Sequence, residues 1–114
     1  MRNFNNLENI SETLWNLKTL QKLDIIYIPK FQFPDTFDQL ENLTSLTLQG
    51  CENLSYLPSN IDQLKYLKIL IVSNCNKIEN LPHSLCKLRK LKRLKINWCG
   101  GIKELPPSLG TLYI

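Results

Sequence analysis

Histidine occurs once in these 114 residues, as His83, and it stands beside Ser84 with nothing in the sequence to complete a Ser-His-Asp arrangement. The ten acidic residues are scattered without a recurring pair, so no two carboxylates are expected to converge for acid-base work. There is no C-x-x-C pair and no Cys/His cluster at zinc spacing, which leaves no metal site to expect. The phosphate-cradling pattern G-x-x-x-x-G-K-S/T does not occur. No apolar run approaches the roughly 18 residues a membrane-spanning helix needs. The start, MRNFNNLENI, has neither the continuous apolar stretch nor the small-residue cleavage site of a secretory leader. These absences predict a non-enzymatic, cytoplasmic chain with no cofactor and no membrane contact.

What is present is leucine in a fixed rhythm. Apolar residues stand at Leu64, Leu67, Leu70, Val72, Cys75, Ile78, Leu81, Leu85 and Leu88, with Pro82 after Leu81. The series from Leu40 through Cys51 and Leu57-Pro58 lies 24 residues earlier (64 − 40), and the series from Leu88 through Cys99 and Leu105-Pro106 lies 24 later, since it ends at Leu112 (112 − 88). A constant period in this range marks a solenoid, in which each unit covers the apolar face of the next. The unit that begins at Leu17 is one residue short (40 − 17 = 23), with the deletion between Phe31 and Phe33. There Phe31, Phe33 and Phe37 replace smaller aliphatics, which predicts a bulkier coil. Residues 1–17 fit only the second half of the unit, with Phe4 at the Cys position. The predicted organisation is one domain over 1–114, with a partial coil 4–16 and coils 17–39, 40–63, 64–87 and 88–111. Leu112-Tyr113-Ile114 starts another unit, so a fragment of a longer array is expected, with uncapped ends through which copies self-associate.

The apolar period changes within each unit. Leu46-x-Leu48, Leu70-x-Val72 and Leu94-x-Ile96 repeat every second residue, the mark of short strands with alternate side chains turned inward. Identical crossovers make successive strands parallel. After each proline the period becomes three, which suits a short helix or 3-10 segment with a polar N-cap. Cys51, Cys75 and Cys99 occupy one position, inside the bend after the strand, where a thiol can bond backbone groups that the bend leaves unpaired. Their side chains point the same way, which disfavours disulfides between them. Cys86 stands apart and is expected to be partly covered.

The pattern L-x-x-L-x-x-L-x-L-x-x-C-x-x-L-x-x-L-P-x-x-I/L-x-x-L resembles the leucine-rich repeat family over Phe4 to Leu112. The Cys51, Cys75 and Cys99 row and the repeated Leu-Pro look like the C-terminal repeats of plant intracellular nucleotide-binding disease-resistance proteins. The resemblance implies an α/β, right-handed solenoid with a parallel sheet on its concave face and short helical or 3-10 segments on its convex face. It also implies a non-catalytic protein-recognition module, the ligand-sensing or autoinhibitory repeat region of an immune receptor. The alternatives are a structural segment that contacts only neighbouring domains of its own chain, or the repeat half of a bacterial or protist effector.

The register decides which side chains would meet a partner. Outward positions form the rows Lys22, Ser45, Ile69, Arg93; Asp24, Thr47, Ile71, Lys95; and Ile26, Gln49, Ser73, Asn97. A fourth row at the turn holds Tyr27, Gly50, Asn74 and Trp98. Ile69 and Ile71 are apolar where solvent is expected, next to two cations and near edge aromatics, a composition typical of binding hot spots. Six basic residues fall between Lys87 and Lys95, but repeat position divides them between two surfaces. They predict a solvated face, and nucleic acid is not expected as a partner.

Overall fold

The computed structural model describes residues 2–5, 16–97 and 99–101. The inward path between strands is a succession of three-residue turns, in which each inward residue donates its N–H to the carbonyl of the inward residue before it. In one coil Ile61 donates to Pro58 at 3.1 Å, Leu64 to Ile61 at 3.1 Å and Leu67 to Leu64 at 3.1 Å; in the next, Leu85 donates to Pro82, Leu88 to Leu85 and Leu91 to Leu88 at 3.2, 3.2 and 3.0 Å. This i to i+3 bonding gives three residues per turn, with side chains at i and i+3 on one line, and it is the physical origin of the L-x-x-L spacing. Where it is most regular it forms the 3-10 segments Phe37–Gln39, Ile61–Gln63 and His83–Lys87. The expected polar N-caps do not form: none of these three segments has a side-chain cap hydrogen bond. The N–H groups of Phe37, Ile61 and Leu85 are instead bonded to the carbonyls of Pro34, Pro58 and Pro82, so those donors need no side-chain cap.

After the third leucine the chain extends into a strand. β1 (Arg2–Asn5), β2 (Lys22–Ile26), β3 (Ser45–Gln49), β4 (Ile69–Ser73) and β5 (Arg93–Asn97) form one parallel sheet in chain order. Leu23, Leu46, Leu70 and Leu94 lie in one register line, and Ile25, Leu48, Val72 and Ile96 in another. The strands β2, β3 and β4 alternate half-buried and buried along their length, as a sheet covered on one face must. The crossovers run through the convex turns, so the molecule is a right-handed solenoid with the sheet on its concave face.

Phe4 is not at the Cys position. It pairs with Ile25, and Asn3 and Asn5 pair with Asp24 and Ile26, so residues 2–5 are a full strand rather than part of a returning half-coil. A three-residue step from Phe4 to Leu7 satisfies either alignment, and it is the pairing with β2 that decides for the strand.

The core is one continuous cluster from Leu20 to Leu94, built from the repeated leucines together with Cys51 and Cys75, and among the described residues it contains no buried polar or charged side chain. The short coil is filled by aromatic rings. Phe33 packs edge-on against Phe31 (centroids 5.0 Å apart) and against Phe37 (5.5 Å), so two T-shaped contacts occupy the space where other coils place a longer loop.

Candidate protein-recognition surface

The predicted rows are side by side in the sheet. Lys22, Ser45, Ile69 and Arg93 are paired in sequence across the strands, as are Asp24, Thr47, Ile71 and Lys95, and Ile26, Gln49, Ser73 and Asn97. Arg93 and Lys95 are exposed and the other ten are half-buried. Asn3 and Asn5 extend the second and third rows by register, two positions the sequence reading missed because it placed Phe4 in the bend. Trp98 lies outside the described residues.

Charge changes along the rows. On β2 the cation and anion are two residues apart on one face, and Lys22 Nζ approaches Asp24 Oδ2 at 3.9 Å, a partly solvated pair of small energetic value that balances that end. β3 presents neutral hydroxyl and amide groups, β4 presents Ile69 and Ile71, and β5 presents two exposed cations. A ligand meeting this face therefore finds an apolar strip bordered by positive charge on one side and hydrogen-bonding groups on the other.

The turn row is held by backbone geometry. Tyr27, Gly50 and Asn74 all have left-handed backbones, at φ 56, 68 and 56°, and each N–H continues the ladder to the next coil: Tyr27 to Gln49 at 2.7 Å, Gly50 to Ser73 at 2.9 Å and Asn74 to Asn97 at 3.2 Å. The Tyr27 ring lies over Gly50, where a Cβ would collide with it. Gln49 Nε2 donates to Tyr27 Oη at 3.1 Å, so a ring that is half exposed is fixed from two sides. The sequence placed these residues in one row but gave no sign that Tyr27 rests on the next coil.

Beneath the turns, the thiols bond the backbone as the bend requires. Cys75 Sγ donates to Ser73 O at 3.4 Å and to Leu48 O at 3.9 Å, while Cys99 Sγ donates to Asn97 O at 3.4 Å and to Val72 O at 3.7 Å. Cys51 Sγ makes the same two kinds of contact, to Gln49 O and Ile25 O, both at 3.9 Å. The Cys51 thiol is pushed up by its hydrogen bond with Cys75 and by burial, and Cys99 is raised by burial. Cys51 and Cys99, held protonated in this way, pack as small apolar groups, while the same hydrogen bond with Cys51 lowers the Cys75 thiol to about 7. Cys86 is half-buried.

On the convex side His83 is exposed, whereas Ser84 Oγ is buried without a hydrogen-bond partner among the described residues, so the two neighbours do not meet as a dyad. A groove of about 280 Å³ there is lined in part by Phe33, Phe37, Tyr56 and Pro58. Among the described residues no group of three His, Cys, Asp or Glu side chains converges as a metal site, and no helix is long and apolar enough to cross a membrane.

Parallel strands every 23 or 24 residues from β2 to β5, joined by 3-10 turns and backed by a leucine spine, define a leucine-rich repeat protein. The model of the R13L1/DRL21 leucine-rich repeats matches residues 1–75, and the chain belongs to that family, whose repeats are of the plant nucleotide-binding resistance type. Its fold is similar to that of a leucine-rich repeat protein of Leptospira interrogans, with a TM-score of 0.74 and 29% sequence identity over 93% of this chain and 26% of that one. The chain thus spans about a quarter of the Leptospira protein. No curated protein matches the sequence.

Proposed function

We propose that this chain is a non-catalytic, cytoplasmic recognition module whose concave face binds another protein, as the ligand-sensing or autoinhibitory repeat region of an immune receptor. The observation that carries this reading is the apolar strip of Ile69 and Ile71, set on the concave face beside Arg93 and Lys95. Outward isoleucines also favour strand formation, but together with adjacent cations and the fixed Tyr27 ring they provide apolar area, charge and an aromatic edge on one rigid surface. Because the solenoid holds these groups before a partner arrives, little conformational freedom is lost on binding. Membership of the R13L1/DRL21 family supports the immune assignment.

The test is the double variant I69K/I71K. Both positions are half-buried on the open face, so the thermal midpoint is expected to correspond to a loss of no more than about 1 kcal/mol. Affinity capture from cell extract, with wild type and variant compared, should then lose the proteins that wild type retains, while the convex variant N60K keeps them. Equal capture by all three would exclude the concave face. Constitutive signalling by a full-length receptor carrying I69K/I71K would make the face an internal clamp instead of a ligand surface.

A further inference from the structure

A second surface lies at the entry to β4 and β5, beside the sheet rather than on it. Segments 64–69 and 87–95 hold eight of the chain's fourteen Lys and Arg residues and no Asp or Glu. Repeat position alone divides the later cluster between two surfaces, but the hydrogen bonds join it to the coil before. The Lys68 carbonyl accepts the N–H groups of both Lys92, at 2.8 Å, and Arg93, at 3.1 Å, so Lys68 and Lys92 stand side by side where the two strands begin. Lys90 Nζ lies 4.9 Å from the centroid of the Tyr66 ring one coil back. The same 24-residue step sets Arg89 beside Lys65, and Lys65, Tyr66, Lys68, Arg89, Lys90 and Lys92 are all exposed. One coil earlier the equivalent positions are Glu41, Asn42 and Thr44, and 24 residues after Arg89 and Lys90 stand Tyr113 and Ile114, so the charges at these positions are not repeated there.

Cations stacked at the strand spacing of roughly 4.8 Å repel one another and weaken the coils that carry them. Solubility alone would be served as well by dispersed charge. An anion laid across the edge removes the repulsion. Five cations on two coils make a short patch, unlike the long track a nucleic-acid backbone follows, and the patch's aromatic, Tyr66, has a ring face already taken by Lys90 rather than offered to a base. Carboxylates suit it better: Arg89 presents a planar fork for a bidentate contact, and Lys65, Lys68 and Lys92 present point charges around it. We propose that this edge binds an acidic segment of a protein partner, with Arg89 and Lys92 taking carboxylates and the Lys90–Tyr66 pair walling one side. The proposal stands independently of the concave-face reading.

The test uses labelled poly-L-glutamate and fluorescence anisotropy at about 0.1 M salt, where charges are screened beyond about 10 Å. The variant K68E/K90E/K92E is compared with K18E/K30E/K77E, which makes the same change in net charge elsewhere on exposed positions. Saturable binding by wild type should weaken at least about tenfold in the first and less than about twofold in the second. Equal losses in both would reduce the effect to net charge, and no saturable binding by wild type would leave no site; either overturns the proposal. So would tighter binding of poly(U) RNA than of polyglutamate through the same residues, which would make the edge a nucleic-acid surface. If K68E/K90E/K92E does not melt cooperatively, R89A/K92A, which only truncates exposed side chains, should show at least about a threefold loss, and an unchanged affinity would contradict the proposal.

Discussion

Tyr27, Gly50 and Asn74 share a left-handed backbone, yet each meets a different demand. Asn tolerates this conformation well and Tyr poorly, and Tyr27 is kept in it by its N–H bond to Gln49 O and by the Gln49 amide on its hydroxyl. Gly50 is required twice over, for its positive φ and for the bare Cα on which the Tyr27 ring rests. Gly50→Ala should therefore destabilise the fold by about 1–3 kcal/mol in urea unfolding. In Y27A/G50A the collision is gone and only the backbone cost remains, so the double variant should lose less than the two single losses added together. Strict additivity would mean that the ring does not rest on Gly50. That contact was not legible in the sequence. The 24-residue step assigns residues to rows, but whether a side chain leans onto the next coil depends on a rotamer and a φ angle, and neither leaves a trace in residue spacing.

At the level of elements, the short coil shows how a solenoid absorbs a missing residue. Its strand β2 keeps register with β3 from Lys22–Ser45 to Ile26–Gln49, and the deletion is taken up on the convex side by Phe31, Phe33 and Phe37. Phe33 is the middle ring of that trio, so Phe33→Ala should cost about 3–5 kcal/mol by urea unfolding, mostly through the cavity it leaves. A loss below about 1 kcal/mol would mean that the coil closes without it. The deletion and its bulky replacements were readable, because a one-residue break in a strict period is conspicuous. The strand at residues 2–5 was not, because Phe4 fits two alignments and the neighbouring apolar spacing favoured the wrong one. The missing caps had a different cause: Pro followed by a small polar residue signals a helix start, but here the N–H three residues after each proline, on Phe37, Ile61 and Leu85, bonds the proline carbonyl instead of a side chain.

Across the whole molecule, one leucine-lined interior serves two outer surfaces, the concave rows and the basic edge of the last two described coils. The rows were legible from the sequence because strand alternation has a period of two: once Leu46, Leu70 and Leu94 are inward, Thr47, Ile71 and Lys95 must be outward. The edge was only half legible, since its charges were countable but the hydrogen bonds joining Lys68 to Lys92 and Arg93 were not. Both surfaces depend on that alternation, because a slip of one residue would exchange the core for the face. Adjacent residues on β4 test it most directly. Leu70 is fully buried and Ile71 half-buried, so urea unfolding of Leu70→Thr should show a loss of about 2–4 kcal/mol, and Ile71→Thr a loss within about 1 kcal/mol. Equal losses, or a greater loss at Ile71, would contradict the account.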